Sequence, residues 1–175
     1  VSQGVITSYT FSNVTESHTI SVSFTAYTFN VSMNSATGGS GSASPQIGII
    51  YNGTTTLTAT PSAGYTFNSW SCTGGVLSSD KSSPATLSSI QSNLTCTPTF
   101  TANIYKVTFN SNGSGSSVSP TSADYTVDGT TIELPTPSRS GYTFTNWYTN
   151  SEGGSVIPNP YAPTDNVTIY AHWST

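Results

Sequence analysis

The chain repeats itself. Gly64-Tyr65-Thr66-Phe67-Asn68-Ser69-Trp70 returns as Gly141-Tyr142-Thr143-Phe144-Thr145-Asn146-Trp147. Upstream, Gly53-Thr54-Thr55-Thr56-Leu57 matches Gly129-Thr130-Thr131-Ile132-Glu133, and a Ser/Gly run ending at Pro45 matches one ending at Pro120. Downstream, Asn93 to Phe100 matches Asn166 to Trp173. The matches stay in order at nearly constant spacing, which composition bias does not produce. A period of this length means one structural unit per copy.

The leading segment fits the tail of the same unit. Tyr9 to Val14 aligns with Ala85 to Ile90, and His18 to Phe24 with Leu94 to Phe100. The expected organisation is therefore residues 1–26 as the C-terminal part of an incomplete repeat, then 27–103 and 104–175 as complete repeats. No long linker separates them, so a semi-rigid rod is expected rather than a flexible string.

Each copy reads as short strands. Val167, Ile169, Ala171 and Trp173 alternate along one face of a closing strand. Leu94, Cys96, Pro98 and Phe100 mark the same face in the middle copy, and His18, Ile20, Val22 and Phe24 in the first. A first strand is expected at Tyr105–Asn110 and at Tyr27–Met33. A second should precede the Gly-Tyr-Thr-Phe corner, and a third carries the Trp. Aromatics make up 11% of the chain and recur among β-branched residues, which argues against disorder. No window sustains a 3.6-residue apolar period. The expected fold class is mainly β, as small β-sandwich-like modules in tandem.

Composition narrows the function. Charged residues are only 6% of the chain, the net charge is −4, and the bases are Lys81, Lys106 and Arg139. Three cations cannot neutralise a phosphate backbone or anchor the chain to an acidic bilayer, so no nucleic-acid or polybasic membrane partner is expected. The longest apolar run, Ile47 to Tyr51, is far short of the roughly 20 residues of a membrane helix. The chain begins with Val1 rather than Met and shows no signal peptide, so a processed terminus or a cut from a longer parent is expected.

Cys72 and Cys96 are the only cysteines, and the last copy lacks both, with Thr149 and Ile169 in their places. They read as a disulfide across the Trp-bearing and closing strands, worth roughly 3 kcal/mol in the chain-entropy model. That implies an oxidising, extracellular compartment. Two buried thiols are the alternative; no C-x-x-C spacing marks a redox pair.

Catalytic constellations are thin. His18 and His172 are isolated from each other and from any ligand cluster. No G-x-S-x-G elbow occurs. Asp124 and Asp128 flank a turn without EF-hand spacing, and Glu152 and Asp165 lie in other loops. Lys81 and Lys106 raise a Lys–Asn isopeptide cross-link, which needs a buried lysine. Tyr65, Phe67, Trp70, Tyr142, Phe144 and Trp147 are expected in the core rather than stacked on sugar. Tyr51 and Tyr161 are left as exposed tyrosines that could meet a ligand. Sequons at Asn13, Asn30, Asn52, Asn93, Asn112 and Asn166 are candidate glycosylation sites in a host that glycosylates secreted proteins. No catalytic, metal or cofactor residue is assigned.

The last copy carries a recognisable pattern: Val107-Thr108-Phe109-Asn110-Ser111-Asn112-Gly113, Gly129, Pro135, Pro137, Gly141 to Tyr148, and Val167 to Trp173. It resembles the Listeria–Bacteroides repeat, the internalin-type B-repeat. The middle copy is similar to divergent relatives of that repeat, through Ala59-Thr60-Pro61, Gly64 to Phe67 and Trp70, and departs in its two cysteines and its loop from Gly74 to Pro84. The resemblance implies a compact β-grasp-like module in secreted or cell-wall proteins of prokaryotes, serving as stalk or spacer with occasional adhesion. It brings no catalytic residues and no particular partner.

The leading expectation is a non-catalytic extracellular structural or adhesive segment of a prokaryotic cell surface. Its partners would be neighbouring modules, identical subunits, or a host or surface glycan or protein. A self-assembling filament subunit closed head to tail by strand complementation is a second reading. A carbohydrate-binding module is a third, which an exposed tyrosine would have to carry.

Overall fold

The computed structural model describes residues 4–175. Among them are fifteen strands, short turns and no helix. The low charge and the Thr, Ser and aromatic content make strands throughout, and Gly and Asn serve the turns between them.

The middle unit runs through β1 (Thr28–Phe29), β2 (Val31–Met33), β3 (Gly39–Ser44), β4 (Ile49–Ile50), β5 (Gly53–Pro61), β6 (Tyr65–Cys72), β7 (Val76–Leu77), β8 (Ala85–Ile90) and β9 (Leu94–Ala102). Two principal sheets form. One has the order β2-β9-β6, and the other has the order β3-β5-β8-β7. β1 and β4 pair separately. In β5, Thr55 and Leu57 point inward while Thr54, Thr56, Thr58 and Thr60 face solvent, the period-two pattern of a half-buried strand. Val31, Leu57, Trp70, Leu87 and Cys96 share one core between the sheets.

The last unit runs through β10 (Ile104–Asn110), β11 (Ser116–Ser117), β12 (Ser122–Thr126), β13 (Ser138–Arg139), β14 (Thr143–Tyr148) and β15 (Val167–Ser174). Its main sheet has the order β12-β10-β15-β14, and β11 pairs with β13. Val107, Phe109, Trp147, Ile169 and Ala171 fill its core.

The two units share a sheet plan. The closing strand is central, parallel to the first strand and antiparallel to the Trp strand: β9 lies between β2 and β6, and β15 between β10 and β14. The outer neighbour of the first strand is also common. Thr28 faces Ile50 and Phe29 faces Ile49, as Ile104 faces Thr126 and Tyr105 faces Tyr125. In the middle unit the first strand is broken at Asn30 into β1 and β2.

A second shared feature explains the Phe-x-x-Trp spacing. Residues three apart on a regular strand point to opposite faces. The register of β6 slips between Phe67 and Ser69, and that of β14 between Phe144 and Asn146. The bulged residues, Asn68 and Thr145, turn the following Trp back to the Phe side. Phe67 then packs on Trp70 at 5.4 Å between ring centroids, and Phe144 on Trp147 at 5.7 Å.

Two expectations need correction. The second strand before the corner exists as the nine-residue β5 in the middle unit, but its counterpart in the last unit is not a strand. Pro135 and Pro137 stand there; proline offers no N–H to a ladder. A single bridge, Ile132 to Tyr161, closes the core, with reciprocal N–H to carbonyl bonds of 2.8 Å. The face expected at His18, Ile20, Val22 and Phe24 is not buried: no strand forms between residues 4 and 27, and Phe24 is 92% exposed. Its counterparts, β9 and β15, are central strands that need a partner on each side, and no strand lies beside the leading segment.

Candidate functional site

Among the described residues, the arrangement with most specific geometry is the joint between the two units. β9 ends at Ala102 and β10 begins at Ile104, leaving Asn103 alone between them. Every polar group of Asn103 named in this joint is used. Its backbone N–H donates to the Gly64 carbonyl at 2.8 Å. Its side-chain oxygen accepts from the Thr66 hydroxyl at 2.7 Å, and its amide nitrogen reaches the Tyr105 hydroxyl at 3.4 Å. The turn after β12 completes the contact. Tyr65 donates its hydroxyl to the Asp128 carboxylate. Val127 lies against Gly64, where a Cβ would come within 2.8 Å of the valine Cγ2. Gly64 also has φ +82°, so glycine is required there twice over. The bond to Asp128, then desolvation and the adjacent negative charge, raises the Tyr65 hydroxyl above its ordinary value of 10.0.

Sequence reasoning did not find this joint. Its signal was the missing linker together with the Asp128-Gly129 turn, whose partner on the other unit no sequence pattern names.

Cys72 and Cys96 stand directly opposite each other on β6 and β9 and are joined as a disulfide. Cys96 is fully buried, as is Ile169, its counterpart in the last unit. At the counterpart of Cys72, Thr149 closes a loop instead. Its N–H donates to the Ser155 carbonyl and its hydroxyl accepts the Ser155 N–H, both at 3.0 Å.

The aromatics divide. Trp70 and Trp147 are buried, and their indole N–H groups reach carbonyls in different loops, Ser82 at 3.1 Å and Pro135 at 2.9 Å. Phe67 and Phe144 pack beside them. Tyr65 belongs to the joint. Tyr142 is not core: it is 41% exposed, with the Arg139 guanidinium 3.7 Å from its ring centroid. Tyr161 packs on the core, while Tyr51 is 57% exposed.

The titratable groups are scattered. His172 stacks on Tyr148 at 4.0 Å and bonds the Asn150 carbonyl at 2.9 Å; His18 stacks on Phe11 at 5.3 Å. Asp124 sits on β12 opposite Lys106, whereas Asp128 is taken by Tyr65. Among the described residues, no three His, Cys, Asp or Glu side chains gather as metal ligands. Lys81 and Lys106 are both exposed, which removes the burial an isopeptide bond requires. A depression beside the joint, of about 500 Å³, is lined by Ala59, Pro61, Tyr65, Thr66, Phe67, Lys81 and Ser83, a set with no carboxylate, imidazole or thiol. No described helix is long and apolar enough to cross a membrane.

The sequon asparagines differ in what their side chains already do. Asn93 accepts the Asn30 N–H at 2.9 Å, and Asn166 accepts the Lys106 N–H at 2.8 Å, the same bond in both units. Asn30 accepts from the Gly48 N–H at 3.4 Å and Asn52 from Gln91 Nε2 at 2.8 Å. All four use only the oxygen. Asn112 is the exception: its amide nitrogen donates to the Ser151 and Ala171 carbonyls, at 2.8 and 2.9 Å. Asn13 is exposed with φ 54°.

Helix-free β units in tandem, each closed by a central strand parallel to its first and each carrying a bulged Phe-x-x-Trp strand, define a repeat protein. Residues 29–104 match the divergent InlB B-repeat domain, and residues 105–172 match the Listeria-Bacteroides repeat domain. Residues 29–172 belong to this repeat family. The matched domains are repeats found in bacterial surface proteins and are not enzyme families.

Proposed function

We propose that this chain is a non-catalytic spacer segment of an extracellular prokaryotic surface protein, in which β-grasp-like units without a helix are stacked as a stiff rod. The observation that carries the reading is the clamped joint at Asn103. A flexible tether would leave the linker solvated. Here one residue spans the units, the Thr66 hydroxyl donates to its side chain, and beside it Tyr65 of one unit donates to Asp128 of the other. Short, braced junctions favour extension over collapse. The disulfide fits an oxidising compartment outside the cell.

Small-angle scattering tests this. The wild-type chain is expected to give the profile of two units held at one angle. Asn103→Gly combined with Tyr65→Phe should broaden the distance distribution. Identical profiles for the two proteins would remove the joint as the source of stiffness and overturn the reading.

A further inference from the structure

The depression beside the joint belongs to the middle unit, at the end that the last unit covers. Pro61, Tyr65 and Phe67 give it carbon walls, and Thr66, Lys81 and Ser83 are its polar groups. We propose that it binds one ring of an acidic saccharide, a sugar carrying a carboxylate. This goes beyond the spacer reading and adds adhesion at a defined place.

The walls are set before a ligand arrives. A Cβ on Gly38 would collide with the Tyr65 ring, so glycine lets the backbone lie directly against it, and Asp128 holds the Tyr65 hydroxyl. Phe67 leans on Trp70 and Phe100, at 5.4 and 6.0 Å between ring centroids. Rings fixed in this way lose little freedom on binding. A sugar ring offers C–H groups on its faces and hydroxyls around its edge. That suits aromatic and proline carbon bordered by polar atoms.

The polar groups match the sugar's edge. The Thr66 hydroxyl donates to Asn103 at 2.7 Å. The Ser83 hydroxyl accepts the Ala59 N–H at 2.7 Å and donates to the Ala59 carbonyl at 3.4 Å. With their hydrogens spent, both oxygens keep a lone pair that accepts from a sugar hydroxyl. Lys81 sets the acidic class. Its ammonium is the only charge in the lining, its side chain is 64% exposed, and its contact with Asp80 is loose at 4.0 Å. Donors are therefore free for a ligand carboxylate. The last unit does not offer the same place, since Arg139 already lies on the ring of Tyr142.

An NMR titration of the whole chain tests this, with glucuronate as the probe and glucose and acetate as controls. Glucuronate should shift the backbone amides of Tyr65, Thr66, Phe67 and Lys81, with a dissociation constant on the order of 1 mM. The amides of Gly141 to Phe144 should stay in place. Glucose should bind about fivefold more weakly, the share of one exposed ion pair, and acetate should give no saturable shift. Lys81→Ala, a change at an exposed side chain, should reduce glucuronate to the level of glucose. Absence of saturation with glucuronate overturns the proposal. So do equal affinities for glucuronate and glucose, an equal response to acetate, or glucuronate binding unchanged in Lys81→Ala. Scattering reads the joint separately, so a failed titration leaves the spacer reading standing.

Discussion

The side-chain oxygen of Asn166 holds the backbone N–H of Lys106 at 2.8 Å, one residue ahead of the point where β10 and β15 begin to pair. Asn93 does the same for Asn30 ahead of β2 and β9. Parallel strands have no tight turn between them to set their register. These asparagines set it by pinning the closing strand against the first.

Asn166→Ala and Asn93→Ala are each expected to cost about 1 kcal/mol, the net worth of one hydrogen bond whose freed N–H regains water. Denaturant melts compared with the parent chain would show it. An unchanged midpoint in both variants would mean register is set elsewhere.

Removing the disulfide with Cys72→Ala and Cys96→Ala should lower the stability of residues 27–103 by about 3 kcal/mol, the loop-entropy value for a closure of this length. Hydrogen exchange should place the loss in β6 and β9 and leave β14 and β15 unchanged, since the cross-link joins only the former pair.

Deleting Asn68 or Thr145 tests the bulge. Without the extra residue, Phe67 and Trp70, or Phe144 and Trp147, stand two apart on a regular strand and still share a face. The indole should therefore stay buried and tryptophan emission should not shift to the red. A red shift on deletion would show that the inserted residue is needed to aim the indole.

The joint is expected to weaken in alkali. The folded-state pKa of Tyr65 lies above its ordinary value of 10.0 because the neutral hydroxyl donates to Asp128. Its contribution is therefore complete below the unfolded pKa and is lost as pH rises through the raised folded value. In an ultraviolet titration, Tyr65→Phe should remove a late-ionising component, and Asp128→Asn should bring that component back toward 10.0.

In a host that glycosylates secreted proteins, Asn112 is expected to stay bare. Both hydrogens of its amide nitrogen are committed to carbonyls, and a glycan would take the place of one. Asn52, Asn93 and Asn166 use only their oxygens and leave the nitrogen for modification. Peptide mass spectrometry would decide, and a glycan on Asn112 would contradict this ordering.

Much of the fold was legible because each copy repeats a pattern with a physical meaning. Val167, Ile169, Ala171 and Trp173 declared the closing strand, and the Gly-Tyr-Thr-Phe corner declared where the Trp strand starts. The counterpart of β5 in the last unit was misread because Gly129 to Glu133 keeps the sequence of a strand start while Pro135 and Pro137 deny it a ladder. Tyr142 was misread for a different reason. Its environment depends on what sits against the corner, and the same local sequence meets Asp128 at Tyr65 and Arg139 at Tyr142. The joint itself stayed hidden, since the partnership of Tyr65 with Asp128 links residues 63 apart in different units.

The parallel pairing of first and closing strands has a mechanical consequence. When a unit is pulled by its two ends, β10 and β15 are drawn past each other along their length. Their ladder, from Val107 opposite Val167 to Asn110 opposite Tyr170, is loaded in shear, so its bonds resist together instead of unzipping one by one. β2 and β9 carry the same geometry in the middle unit. Tension along the chain therefore meets two such clamps in series.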